Sequence, residues 1–301
     1  MMLTPSPIAL VVACAAALAT LADVVPAQDA PTGADSLRTS APIDPRAALP
    51  ERPTVATHAY TVAPGYLEIE TGVQGARPVG HTQIVAPVVL KLGVGRRSQL
   101  ELQGGYLSDR GDGQSISGAS DLGVALKQRL LDAAPLVHDF SLQGTVKFAT
   151  GASDTGTGTT DLSLLLISSR PLGRAELDLN AGWTRRSGDG LTAPRDASLL
   201  TASLGSPLRG RIGGVAELFA YPGTSGPAGV PPAIGFLFGP TVQLRPWLVL
   251  DAGAILDVEG MGANAGYAGL TWNAGSITGR DGRRARQLPA LRPANAPSRN
   301  S

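Results

Sequence analysis

The sequence predicts an all-β chain: a transmembrane antiparallel up-and-down β-barrel of about twelve strands, flanked by disordered N- and C-terminal tails. Three observations predict it. Apolar and polar residues alternate in segment after segment between residues 66 and 273. The charges in those segments collect on one of the two faces, and the connections alternate between tight and long. A period of two sends successive side chains to opposite sides of a strand.

Composition narrows the alternatives. Only 16% of the 301 residues are charged, against about 25% in an average soluble domain. The 38 glycines and 24 prolines disfavour long helices. A net charge of +1 excludes a general electrostatic attraction to nucleic acid. Three histidines and one cysteine are too few for a Cys/His zinc site.

The first element is an address. Residues 8–21 are apolar, too short a run for a membrane helix of about 20 residues. Val25 and Ala27 place small residues at −3 and −1 of a cleavage site, so residues 1–27 read as a secretory signal peptide. Cys14 lies inside it, and the mature chain then has no thiol, which suits an oxidising periplasm. Residues 28–57, rich in Pro, Ala, Asp and Thr without periodicity, read as a flexible periplasmic leader.

The barrel is expected over residues 58–275. Its segments begin near Tyr66, Thr82, Ser98, Ser120, Asp139, Thr159, Arg174, Ala197, Arg211, Pro232, Trp247 and Asn264. Each approaches the 9–11 residues that a tilted membrane strand needs. The connections at 93–97, 132–138, 171–173, 206–210 and 245–246 are tight, whereas 108–119, 151–158, 187–195 and 222–231 are long and rich in Gly, Ser, Asp, Thr and Pro. Short turns at one end and long loops at the other are the asymmetry of an outer-membrane barrel. An even strand count puts both termini on the short-turn, periplasmic side. The basic tail, 276–301, carries Arg280, Arg283, Arg284, Arg286, Arg292 and Arg299 and reads as solvated chain.

One face of the strands carries leucine, valine, isoleucine and phenylalanine; the other carries the charges. A sandwich would bury the apolar face and wet the charges. A barrel in lipid inverts this, so Glu68, Glu70, Glu101, Lys127, Arg129, Lys147, Asp178, Arg211 and Glu217 are expected to line a lumen. Aromatics near strand ends, among them Tyr106, Phe148, Trp183, Phe219, Tyr267 and Trp272, are expected to form interfacial girdles.

Several stretches then carry a resemblance: Pro64 to Gly72 (PGYLEIETG), Leu100-Glu101-Leu102 leading to Gly104-Gly105-Tyr106, Gly158 to Ser163 (GTTDLS), Glu176 to Asn180 (ELDLN) and Arg245 to Gly253 (RPWLVLDAG). They resemble an outer-membrane barrel family labelled as a putative component of the meta-cleavage pathway of phenol degradation, described as transporter-like. The resemblance covers about residues 57–273. It implies a barrel in the outer membrane and, faintly, an aromatic or apolar cargo.

Catalytic readings find no support. His58 precedes the first strand, His81 lies in the first long connection and His138 in a short turn, none beside a plausible serine at mid-strand. Glu68 and Glu70 share a face and are expected to pair with lumen cations rather than act as an acid/base couple. No metal spacing or phosphate loop is present, and no cofactor is expected. The loop at 221–232 could fold inward as a constriction or stand at the rim. The expected function is a porin-like channel or transporter of small solutes in a Gram-negative-type envelope. Its partners are the lipid, the barrel-assembly machinery and the solute. The alternative is a structural or adhesive barrel whose lumen is plugged.

Overall fold

The computed structural model describes residues 44–278. The expected signal peptide, the first part of the leader and nearly all of the basic tail lie outside the described residues. The chain forms thirteen strands: β1 Tyr66–Ala76, β2 His81–Gly95, β3 Ser98–Gly111, β4 Gln114–Ala119, β5 Leu122–Ala134, β6 His138–Phe148, β7 Asp161–Leu172, β8 Ala175–Arg186, β9 Asp196–Arg209, β10 Ile212–Tyr221, β11 Ala233–Arg245, β12 Leu248–Glu259 and β13 Ala265–Ser276. Sequential neighbours pair antiparallel, and β1 closes the sheet against β13. The result is a closed twelve-stranded barrel.

β4 and β5 together make one wall strand. β3 pairs with β5 from Ser98↔Gln128 to Gln103↔Gly123, then with β4 from Tyr106↔Ala119 to Gly111↔Gln114. The break falls at Ser120 and Asp121. The expected long loop at 108–119 is therefore an extended hairpin. Asp112 and Gly113 both take positive φ, 50° and 76°, as a two-residue hairpin turn requires.

The other connections keep the expected asymmetry. Arg96 and Arg97, Gly173 and Arg174, Gly210 and Arg211, and Pro246 and Trp247 are tight turns at one end, whereas residues 149–160, 187–195 and 222–232 extend the opposite end. β1 starts and β13 finishes at the short-turn end. The loop at 222–232 stands at the rim, mostly exposed, closed on itself by Thr224 N–H to the Val230 carbonyl at 3.0 Å. With the loop at 187–195 it encloses a cavity of about 380 Å³.

Paired residues share a face, so the register sorts the wall. Leu100, Leu102, Val124, Leu126, Leu162, Leu164 and Leu166 point outward and are exposed, a surface that only lipid would cover. Glu68, Lys91, Lys127 and Glu217 point inward and are completely buried. The aromatic girdle is only partly as expected. Tyr106, Phe148, Trp183 and Trp272 are exposed outward, but Phe219 and Tyr267 turn into the lumen and pack with Leu237 and Ile255. Glycines make the room. A side chain at Gly235 would overlap the Phe219 ring, and one at Gly239 or Gly253 the Tyr267 hydroxyl.

The face assignment predicts an asymmetric response on one strand. Leu166→Arg should impede insertion at a cost of about 2–4 kcal/mol near the midplane, while Ser163→Arg, pointing inward, should insert normally. Heat-modifiable gel mobility after refolding into vesicles reads both; equal yields would mean the face assignment is wrong.

Candidate functional site

The lumen is not empty. Residues 44–65 enter it at the short-turn end, where Ala48 N–H donates to the Pro246 carbonyl at 2.8 Å. They cross the interior without forming a strand of the barrel and leave where Gly65 N–H donates to the Gly93 carbonyl at 2.7 Å. The leader expected over 28–57 is thus corrected for residues 44–57. Its Pro-rich, aperiodic sequence reflects a chain whose partners are side chains of a wall rather than a neighbouring strand.

The wall satisfies this chain amide by amide. Glu68 accepts from Leu49 N–H at 2.7 Å and Glu70 from Glu51 N–H at 2.8 Å. Both oxygens of Glu217 accept, from Val55 N–H at 2.8 Å and Ala56 N–H at 2.6 Å. Asn180, Ser169 and Gln99 accept from Thr57, Ala59 and Val62 N–H at 2.7, 2.8 and 2.8 Å. Carbonyls are met likewise: Lys91 donates to Leu49 at 2.8 Å, Asn180 to Thr57 at 2.9 Å and Ser141 to Ala59 at 2.5 Å. These partners come from β1, β2, β3, β6, β7, β8 and β10, so the segment is held from most of the circumference.

At its centre sits a buried ion cluster. Lys91 Nζ lies 2.6 Å from Glu68, 2.8 Å from Glu70 and 3.9 Å from Glu51. Lys127 contacts Glu51 and donates to the Thr57 hydroxyl at 2.8 Å. Arg52 reaches Asp251 at 3.5 Å, and a Cβ at Gly72 or Gly269 would collide with its guanidinium. Arg129 stacks 5.0 Å over the Tyr60 ring, whose hydroxyl donates to Glu176 at 3.1 Å. His58 packs in the same place, with Nε2 3.3 Å from the Leu49 carbonyl and Nδ1 4.0 Å from Glu51. Burial lowers the His58 imidazole to about 4, with Lys127 and Lys91 adding to the effect of burial against Glu51. Burial works upward on Glu51, but Lys127 and Lys91 outweigh it and hold the carboxyl far below its ordinary value.

Of the residues expected to line an open pore, Glu68, Glu70, Glu101, Lys127, Arg129 and Glu217 are buried at the base of the lumen. Asp178 projects into the same layer and accepts from Ser169 at 2.5 Å. Lys147 lies higher, 2.9 Å from Asp121 and 3.0 Å from Asp161. Asp121 also accepts from Gly151 N–H at 2.9 Å and Thr157 N–H at 2.8 Å, tying the loop at 149–160 to the mouth. Arg211 is a correction: it sits in the β9–β10 turn, exposed at the rim. The strand β10 begins only at Ile212, so the alternation that places Glu217 inside ends before Arg211. Lys91 and Glu51 form the centre of the cluster beside the expected pore-lining residues. The alternation marks Lys91 as inward, but nothing local marks Glu51.

Above this layer the inward residues are half-exposed and mixed: apolar Val85, Pro87 and Val89 on β2, Leu107 on β3, Leu165 on β7 and Leu199 on β9, beside uncharged polar Gln74, Gln103, Thr145, Ser163 and Thr184. Inward glycines such as Gly105, Gly123 and Gly182 widen the space. The lumen is therefore a partly apolar basin beneath the long loops, floored by a charged, chain-filled layer.

No protein-family model matches the chain, and no curated protein sequence matches it. Solved structures do. A COG4313 outer membrane channel from Pseudomonas putida F1 superposes with a TM-score of 0.55 at 15% identity, covering 71% of this chain and 97% of that one. The chain thus shares the fold of an outer membrane channel, a closed twelve-stranded antiparallel β-barrel. A porin, KdgM, aligns more loosely, with a TM-score of 0.46 at 9% identity over 68% of this chain and 98% of its own.

Two outcomes test the chain-filled layer of this barrel. Lys91→Met leaves Glu68 and Glu70 buried without their cation and should cost about 3–5 kcal/mol, measured by urea unfolding in vesicles. The pH response has a definite sign. His58 titrates at 6.5 when unfolded and about 4 when folded, so the unfolded chain binds more protons between these values. Stability is complete above 6.5 and falls, by about 3 kcal/mol at most, as the pH drops to 4. Glu51 adds a further loss below its ordinary 4.5. Proteolysis within residues 44–65 should rise over pH 6.5–4, and His58→Gln should flatten that window while sparing the loss at lower pH.

Proposed function

We propose that this barrel is a channel for small apolar solutes, aromatic compounds among them, with residues 44–65 as its constriction. The observation that carries the reading is the basin. Its walls carry Val85, Val89, Leu107, Leu165 and Leu199 among uncharged polar groups such as Thr145, Ser163 and Thr184, a more apolar lining than the polar face of a water-filled pore. A solute entering between the long loops would meet an environment that favours apolar surface before it meets charge. Passage then requires the floor to yield. That floor is a chain in no regular secondary structure, held by separate side-chain bonds that can break one at a time. The motif resemblance to a family named for phenol degradation agrees with this cargo. In this reading the short-turn end faces the periplasm, and the barrel-assembly machinery inserts the chain after signal-peptide cleavage at Ala27.

A specific observation favours a second reading. The inserted segment is held by bonds from so many strands that the barrel could be a plugged, structural element of the envelope. Planar-bilayer conductance and vesicle uptake of a small phenol separate the two. A channel should conduct weakly as wild type, and should conduct and take up phenol several-fold faster in Glu217→Ala or Asn180→Ala, each of which strips partners from the constriction. Correctly folded variants that stay silent and exclude phenol would establish the structural barrel instead.

A further inference from the structure

The short-turn rim carries a set of arginines that the lumen does not use. Arg96 and Arg174 stand in turns, Arg170, Arg209 and Arg245 at the ends of β7, β9 and β11, and Arg211 beside Arg209 in the β9–β10 turn. All are exposed except Arg174, which is half-buried. Among the described residues none of the six lies within 4.0 Å of a carboxylate, whereas Arg97 and Arg129 on the same rim are paired with Asp132 and Asp139.

Two of them converge. Arg211 Nη1 donates to the Leu244 carbonyl at 3.2 Å, and Arg245 Nη1 donates to the same oxygen at 3.0 Å. Two guanidinium groups are thus held together on one carbonyl with no counter-charge among the described residues. The segment following β13 leaves from this rim and contains six arginines and one aspartate between residues 279 and 301.

The level of these groups identifies the missing anion. Leu208, Ile212 and Leu244, exposed apolar residues of the outer wall, adjoin Arg209, Arg211 and Arg245 in sequence. The guanidinium groups therefore stand where the lipid-facing belt ends, at the depth of headgroup phosphates. Guanidinium binds phosphate through paired N–H donors. The arginines are also distributed over the β2–β3, β7–β8, β9–β10 and β11–β12 connections, a spread that suits a surrounding leaflet better than one docked protein.

We propose that the short-turn rim is an arginine collar that binds the phosphates of anionic phospholipids, with the Arg211–Arg245 pair as its tightest site. The collar is independent of whether the barrel conducts.

The test uses the full mature protein refolded into phosphatidylcholine vesicles containing spin-labelled phosphatidylglycerol or spin-labelled phosphatidylcholine. The motionally restricted fraction should favour phosphatidylglycerol by about fivefold at low salt, and molar salt should erase much of the difference. R211Q/R245Q should reduce the preference, and R96Q/R170Q/R174Q/R209Q/R211Q/R245Q should bring it close to one. Both sets lie on the surface, and heat-modifiable mobility verifies their folding. Arg→Gln changes at the six arginines beyond residue 278 should leave most of the preference intact. Equal association of the two lipids overturns the proposal. So does a preference that survives the rim substitutions, or one that disappears only when the tail is neutralised.

Discussion

A peptide laid across the inside of a barrel has no strand beside it, and each of its amides is stranded unless a side chain reaches it. Leaving one buried and unpaired costs about 1–3 kcal/mol. Glu68, Glu70, Glu217, Asn180, Ser169 and Gln99 meet that requirement for residues 44–65. This explains a lumen in which wall carboxylates exceed wall cations. Glu217 needs no lysine because two backbone N–H groups take its place, and Glu101 is held by Gln99 at 2.9 Å and Gln103 at 2.7 Å. The polar face of the barrel is polar for the chain it contains as much as for any solute.

The same requirement shapes the mechanics of the floor. A paired edge strand would be held by a cooperative ladder, released all together or not at all. Residues 44–65 are held instead by single bonds to many strands, with Lys91, Lys127 and Glu51 as the strongest knot. Close packing reinforces the knot where the wall is glycine, as at Gly72, Gly93 and Gly269, where a Cβ would collide with the inserted chain. An arrangement of this kind can be firm at rest and still give way locally, which a constriction in a transport path needs.

The sequence was most informative where a pattern repeats. Alternation located the wall strands, and the charges on one face fixed its inside, because each strand must satisfy lipid on one side and polar neighbours on the other along its whole length. The Asp112-Gly113 pair, whose positive φ angles make a tight hairpin turn, is a local signal that the loop reading of 108–119 passes over. The inserted segment left no such trace. Thr57 meets a partner 123 residues away and Val55 one 162 residues away, and neither contact imposes a period on the chain. Arg211 fails for a local reason: counting by twos from Glu217 puts it inside, but the strand begins at Ile212 and Arg211 belongs to the turn.

The division of labour inside the lumen follows from these contacts. Charge is concentrated at the base, where it is consumed in holding residues 44–65, and at the mouth, where Lys147, Asp121 and Asp161 tie down the loop at 149–160. The space between the two layers is lined by glycine, aliphatic side chains and a few uncharged polar groups such as Thr145, Ser163 and Thr184. Ion pairs that are already closed exert little pull on a passing charge. A partly apolar wall over a pair of polar gates would therefore discriminate by hydrophobicity in the chamber and by size at the gates. A salt-filled pore would place its open charges where this barrel has Val85, Val89 and Leu165, and that contrast is the strongest structural argument against reading it as a general ion porin.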